Sequence, residues 1–324
     1  MNNIKKNLSN IILISAFIIF TIIGFILFKE IGKALLMGLV FMLATIPAAN
    51  SIKKYLKFKN QKYIELTIKI DDIVDIKAYK FGKGSKTMLM ISGLTLNGIA
   101  SAVNNVVEQY KELEDDFTIY LIERRDIVSK DVTLHDLSKD IKKIVDKLEL
   151  KDLYLYGTSQ GGAICMDFTI NYPDLVKKLV LASTFTSLNN NEKEVFNKFI
   201  DYASKDDYKS INVEFSKLEM SEKYYKQFEE LINNTSNIGS HDNCVRFINL
   251  TKAMYDFNID DKISTIKCPT LVMGDKDDKV INIEHSKLIV DKLNCEAYYY
   301  EGYGHIVYDL APDFISRIKK FYLN

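Results

Sequence analysis

Leu153-Tyr154-Leu155-Tyr156-Gly157-Thr158-Ser159-Gln160-Gly161-Gly162 is the stretch that decides how this chain is read. A short apolar run ends at Gly157, a serine follows two places on, and two glycines close the turn before an apolar helical pattern begins. Gly-x-Ser-x-Gly between a strand and a helix is the pattern of a nucleophile elbow. Such a turn is so tight that the residues two places either side of the serine crowd it. Glycine has no Cβ, so it relieves the crowding and leaves the hydroxyl exposed above the sheet edge. Taken alone, the pattern also describes ordinary small-residue turns. The rest of the chain has to supply a base, an acid and an oxyanion hole.

Outward from the elbow, the hydrophobic pattern switches repeatedly between strand and helix periods. Ile64–Ile70 alternates as a half-exposed strand, and Ile73–Phe81 reads as a second. Thr87–Ile91 and Phe117–Ile122 are continuous apolar runs, as expected of strands covered on both faces. Between them lies a helical pattern reaching about Glu112. Leu134–Leu148 is an amphipathic helix with Leu137, Ile141, Ile144 and Leu148 on one side. Lys178–Ser183, Thr270–Met273 and Glu296–Tyr300 are further strands, and Ile283–Leu293 and Pro312–Tyr322 are helices. Alternating strands and helices imply crossover connections and a mainly parallel sheet, an α/β fold. Ligands collect at the carboxyl ends of such strands. From Phe185 to about Lys267 the alternation stops, and helical patches such as Val195–Tyr202 and Tyr224–Ile232 take over. This segment is expected to be a helical cap over the mouth of the sheet.

From about residue 62 onward the chain resembles the α/β-hydrolase superfamily, specifically its capped, esterase- and lipase-like members. The resemblance is carried by Ser92-Gly93 after the third strand, Arg124-Arg125 after the fourth, and the Gly157–Gly162 elbow. It continues with Gly274-Asp275-Lys276-Asp277 after the penultimate strand and Gly304-His305 after the last. Members carry nucleophile, acid and histidine in that order. The implied organisation is an N-terminal segment over 1–61, a hydrolase core over 62–184 and 268–324, and a cap over 185–267.

The resemblance makes Ser159 the nucleophile, which needs a neighbouring base to take its proton. Of the four histidines, His135 and His285 sit in or beside helices, and His241 lies in the cap. His305 follows the last strand in a glycine-flanked loop, free to reach the serine, and is the expected base. Asp275, Asp277 and Asp278 crowd one loop. The family spacing selects Asp277 as the acid, with Asp278 next in line. The elbow offers the backbone N–H of Gln160 as one oxyanion donor, and the resemblance implies Leu94 as the other. Ser92 and Thr158 stand where histidine is frequent in the family, and Glu123 stands where aspartate is frequent; Glu123 receives no role. No cofactor or metal is expected, because neither His-x-His nor His-Glu-x-x-His occurs.

Residues 1–62 read differently. Ile11–Phe28 carries no charge, and as a helix it would span roughly 27 Å, close to the thickness of a bilayer core. Lys29-Glu30-Ile31-Gly32-Lys33 interrupts it before a second apolar run, Ala34–Ala49. A cleaved signal peptide, a single anchor and a two-helix hairpin over 11–28 and 34–49 compete. The hairpin keeps Lys5, Lys6 and the cluster Lys53, Lys54, Lys57, Lys59 and Lys62 on one side of a membrane, in line with the positive-inside tendency. The expected location is therefore a membrane, with the catalytic domain on the cytoplasmic face and lipid as a partner.

The whole chain is electrically neutral, but its first 62 residues hold nine lysines against one acid. The remainder is left near −8, which disfavours nucleic acid as a partner. Cys165, Cys244, Cys268 and Cys295 form no Cys-x-x-Cys pair and read as buried reduced thiols. The function expected from the sequence is cleavage of a small acyl substrate, by default a carboxylic ester. A noncatalytic binding or signalling module on the same fold and an acyltransferase are the alternatives.

Overall fold

A computed structural model describes residues 8–29, 31, 33, 35–46, 62–72 and 74–324. The chain divides into two compact units, Met1–Lys62 and Tyr63–Asn324. The larger contains one eight-stranded sheet in the order β1-β2-β4-β3-β5-β6-β7-β8. The strands are β1 (Ile64–Lys69), β2 (Asp75–Phe81), β3 (Lys86–Ile91), β4 (Phe117–Ile122), β5 (Leu153–Thr158), β6 (Val176–Ala182), β7 (Thr270–Asp275) and β8 (Glu296–Tyr300). β1 and β2 are antiparallel to each other, and β2 is antiparallel to β4; every other pairing is parallel.

The parallel strands are apolar on both faces because both faces are covered. Along β3, Leu89 and Ile91 enter one core with Leu155, Leu181, Ile141 and Phe168. Met88 and Met90 enter the opposite core with Tyr156, Val180, Phe314 and Ile318. The two-residue period thus feeds two cores from a single strand. Each fully buried aliphatic side chain contributes roughly 1.5–3 kcal/mol, so the central strands anchor the fold.

The helices of this unit are α1 (Val103–Gln109), α2 (Leu134–Lys147), α3 (Gln160–Asn171), α4 (Asn190–Ser204), α5 (Tyr208–Glu219), α6 (Glu222–Thr235), α7 (His241–Lys252), α8 (Ile283–Leu293), α9 (Val307–Leu310) and α10 (Phe314–Leu323). α2 begins at a capping box: Asp136 N donates to Thr133 Oγ1 and Thr133 N donates to Asp136 Oδ2, each at 3.1 Å. Its buried face holds Leu137, Ile141 and Ile144, as the sequence pattern requires. Between β6 and β7 the chain forms α4–α7. Apart from the isolated bridges Ser187↔Asn258 and Met220↔Gly304, no strand pairing occurs there among the described residues. The four cysteines are free thiols, Cys165 and Cys244 buried and the other two partly exposed.

The smaller unit contains the helix Leu8–Phe28 and a second helical stretch over 35–46. Within it Phe20 stacks on Phe41 with ring centroids 4.0 Å apart. A Cβ at Gly38 would lie 1.9 Å from Thr21 Oγ1, so glycine is required for this close approach. The expectation of two membrane spans is not met: among the described residues no helix is long and apolar enough to cross a membrane. The side chains of the first helix are described continuously only over 13–23. Residues 47–61, which contain the end of the second apolar run and most of the basic cluster, lie outside the described residues, as does Ile73.

Candidate active site

The parallel strands deliver their carboxyl ends to one edge, and the chain leaves that edge in four loops that build the site. β5 ends at Thr158, and Ser159 turns the chain into α3 with φ 50° and ψ −125°. A non-glycine residue there is strained, and such strain persists only where its surroundings hold it. Ser159 N donates to Ala182 O at 2.9 Å, and Thr184 Oγ1 donates to Ser159 O at 2.7 Å. The flanking glycines have no room for a side chain. A Cβ at Gly161 would lie 2.0 Å from Ile91 O, and one at Gly157 would lie 2.6 Å from Gly161 O. The turn is therefore as tight in three dimensions as its spacing indicates.

Two stretches of backbone meet at Ser159, the start of α3 and the turn that follows β3. Gln160 opens α3, where the first N–H groups of a helix have no partner in a preceding turn. Gly93 follows β3 so closely that a Cβ on it would sit 3.1 Å from Ser159 Cβ and 3.7 Å from its Oγ. Leu94 is the next residue and is buried. The Gln160 side chain reaches away from the elbow, Nε2 donating to Leu250 O of α7 at 2.8 Å.

The loop after β7 departs from the family spacing. Asp277 is exposed, and its Oδ2 accepts from Gly302 N at 2.8 Å. Asp275 is buried and accepts from Asp277 N and Tyr303 N, at 2.8 and 3.1 Å. Asp278 is the carboxylate that meets the histidine, with Oδ2 2.8 Å from His305 Nδ1 and both side chains 2% exposed. Its other oxygen accepts from Val280 N and Ile281 N, at 2.8 and 2.9 Å. The expected Asp277–His305 pairing is thus corrected to Asp278–His305. The physical reason is the turn that begins at Asp278, whose free N–H groups draw its carboxylate inward while Asp277 turns out to brace Gly302.

His305 sits between Gly304, at φ +86°, and α9. Gly304 has no space for a Cβ, which would lie 2.6 Å from Glu219 O. Burial acts to lower the imidazole pKa. The charge and hydrogen bond of Asp278, together with the charges of Glu219 and Asp309, outweigh it, and the net shift is upward from 6.5. With Asp278 accepting at Nδ1, the proton resides there and Nε2 carries the lone pair.

The helical segment between β6 and β7 is attached to this loop. Met220 pairs with Gly304, Ser221 N donates to Tyr303 O at 3.2 Å, and Tyr224 stacks on Tyr303 at 5.6 Å. Partly buried Glu219, at the end of α5, is pushed up to about 7, mainly by burial and against the lowering influence of His305. No motif or periodic pattern marks this residue in the sequence. The other histidines also pair with carboxylates: His135 with Asp167 at 2.9 Å, His241 with Asp206 at 3.1 Å and His285 with Glu192 at 2.6 Å. A carboxylate neighbour does not single out His305; its place after β8 does.

Comparison with known proteins agrees with this architecture. Residues 107–312 match the family model described as alpha/beta hydrolase fold. A protein of Haemophilus influenzae named "Putative esterase/lipase" is 26% identical over 256 residues, covering 76% of this chain and 88% of that protein. Among solved structures, an alpha/beta hydrolase enzyme from a Medee basin deep-sea metagenome library superposes with a TM-score of 0.71 at 17% identity, over 80% of this chain and 98% of its own. An esterase from Exiguobacterium antarcticum gives a TM-score of 0.67 at 20% identity, over 81% of this chain and all of its own.

Proposed function

This chain belongs to the α/β-hydrolase family, and on that premise we propose that it is a serine hydrolase of carboxylic esters working through Ser159, His305 and Asp278. The observation that carries the reading is the buried Asp278–His305 pair at the sheet edge where strained Ser159 turns into α3. Ser159 Oγ attacks the acyl carbon as its proton passes to His305 Nε2. The backbone N–H groups of Leu94 and Gln160 stabilise the resulting oxyanion. Asp278 keeps the imidazole in its tautomer and stabilises the imidazolium. His305 then gives the proton to the departing alcohol, leaving an acyl-serine. A water loses its proton to His305, adds to the acyl carbon, and the carboxylic acid departs as Ser159 recovers its proton. The substrate class follows from the family and from the esterase and lipase names of its relatives.

A fluorophosphonate probe tests this directly. The full chain should be labelled, and Ser159→Ala should not. A folded wild-type protein that neither takes the probe nor cleaves short acyl esters would sink the proposal.

The second element of the proposal is attachment to a membrane through the smaller unit, with the catalytic unit on the cytoplasmic face. What supports it is the exposure of large apolar side chains along both helical stretches: Ile18, Ile22, Ile26, Leu36, Val40 and Leu43 are all 49–67% exposed. Water does not tolerate so large an apolar surface, whereas lipid covers it. The lysines flanking these stretches suit an anionic surface. Membrane fractions washed with carbonate should retain the full chain and release a form lacking residues 1–61. Recovery of the full chain in the wash would count against attachment. A cysteine placed at exposed Ile127 of the catalytic unit should be labelled by an impermeant reagent only after cells are lysed, and labelling from outside intact cells opposes the cytoplasmic assignment.

A further inference from the structure

Helix α7 belongs to the segment expected as a cap, yet three of its polar side chains contact the loops that follow β3 and β4. Asn243, Arg246 and Asn249 recur every three residues and so share one side of the helix. Asn243 Nδ2 donates to Leu96 O at 3.2 Å, and Asn249 Nδ2 donates to Val128 O at 2.8 Å. Arg246 lies between them, donating from Nε to Arg125 O at 3.1 Å and from Nη2 to Glu123 Oε1 at 2.8 Å.

Glu123 passes this contact on to the loop that follows β3. Its Oε2 accepts from Ile99 N at 2.5 Å, and Oε1 also accepts from Arg124 N at 2.9 Å. Gly98 rests directly on the carboxylate, since a Cβ there would lie 2.6 Å from Glu123 Oε2. Arg124 holds the other end of the loop, Nη1 donating to Ser92 Oγ at 3.0 Å and Nη2 to Ser92 O. Ser92 and Ile99 bracket the segment containing Gly93 and Leu94. Both ends are therefore held by adjacent residues, and Asn243 of α7 holds the middle.

The three charged groups are buried, with Glu123 7%, Arg124 6% and Arg246 7% exposed. The Glu123 carboxylate pairs with the Arg246 guanidinium, and the Arg124 guanidinium donates to Ser92 instead. Burying such groups is costly unless each is paired and hydrogen-bonded. A loop with no task beyond connecting β3 to α1 needs no such arrangement, and an oxyanion donor fixed before the reaction does.

We propose that Glu123 and Arg246 are positioning residues for the oxyanion loop. Arg246 fixes the Glu123 carboxylate, Glu123 fixes Ile99, and Arg124 fixes Ser92, so that Leu94 N–H is aimed beside Ser159 before substrate arrives. This rests on the reading of Leu94 as an oxyanion donor. It makes α7 part of the catalytic framework, whatever movement the remaining cap helices undergo.

The test uses the full chain with a p-nitrophenyl ester and an arylboronic acid as a mimic of the tetrahedral state. Glu123→Gln and Arg246→Met should each lower kcat by about tenfold to a hundredfold, leave KM within about threefold, and weaken boronate binding in step with kcat/KM. The acid limb of the pH profile should stay in place, because His305 is untouched. The double variant should be no worse than the poorer single one, and Arg246→Lys should recover only part of the loss, since a lysine cannot reach Glu123 and Arg125 O together. Folded variants with unchanged kcat, or with a raised KM alone, overturn the proposal. Should both variants fail to fold, Asn243→Ala leaves the buried charges intact and should still lower kcat by about threefold to tenfold; unchanged turnover there also overturns it. A wild-type enzyme that takes no fluorophosphonate and cleaves no ester removes the premise and the proposal together, an outcome distinct from normal labelling with insensitive variants.

Discussion

Asp278 Oδ2 lies 2.8 Å from His305 Nδ1 with both side chains almost wholly buried, while the neighbouring Asp277 points outward to Gly302 N. Two adjacent aspartates thus take opposite directions, one oriented toward the imidazole and the other bracing its loop. Asp278→Asn should lower kcat by about 10³- to 10⁴-fold, because an amide favours the wrong tautomer and cannot stabilise the imidazolium. Asp277→Asn retains an acceptor for Gly302 N and should leave kcat within about threefold. Steady-state kinetics on the two variants decide between the carboxylates, and the reverse ranking would restore Asp277 as the acid.

The same pair sets the pH dependence. As the proposed base, His305 has to be neutral for turnover, so kcat/KM should rise with pH through an ionisation above the ordinary 6.5. Burial alone would push that ionisation down, and Asp278 is the main group holding it up. In Asp278→Asn the acid limb of the residual activity should therefore move to lower pH. A limb that stays in place would mean that another group controls the profile.

The glycines of the site separate two kinds of constraint. Gly161 has no positive φ, but a Cβ on it would lie 2.0 Å from Ile91 O and 2.4 Å from Ser92 O. Backbone on both sides leaves nothing that can give way, and Gly161→Ala should destabilise the fold by more than about 3 kcal/mol. Gly302 has φ +89° and nothing within 4 Å of a Cβ. Gly302→Ala should cost only the conformational penalty, about 1–2 kcal/mol. Urea midpoints of the two variants measure the contrast, and equal losses would contradict it.

The parts of this architecture that repeat at short range were legible in the sequence. β3, β4 and β5 are continuous apolar runs because they are buried on both faces, and the elbow is readable from the fixed spacing of its glycines around the serine, although Gly161 is demanded by the distant Ile91 and Ser92 carbonyls. His305 was legible from its place after the last strand. Asp278 was not separable from Asp277 by spacing, since the difference lies in which carboxylate meets the N–H groups of Val280 and Ile281. α5 left little periodic trace because only Ile211 is buried within it. The Glu123–Arg246 pair joins residues 123 positions apart, and no local pattern announces such a contact. Residues 11–28 illustrate the opposite limit, where an uncharged run suggests a span that the described residues do not establish.

Glu219, at the end of α5, links the segment between β6 and β7 to the loop of His305. Its carboxyl is pushed up to about 7 from an ordinary 4.5, mainly by burial. A carboxyl whose folded value is raised imposes no penalty below its unfolded pKa and the full penalty above its folded one. The cost of Glu219 should therefore grow between about pH 4.5 and 7 and then level off. Glu219→Gln keeps the backbone carbonyl that accepts from Ile306 N and removes the ionisation. The variant should gain thermal stability at pH 8 and gain little at pH 4. Because Glu219 also helps to hold the His305 pKa up, its acid limb should shift to lower pH. Melting curves at the two pH values, read beside the rate profile, check both effects. A gain that is equal at pH 4 and pH 8 would show that ionisation of Glu219 does not control it.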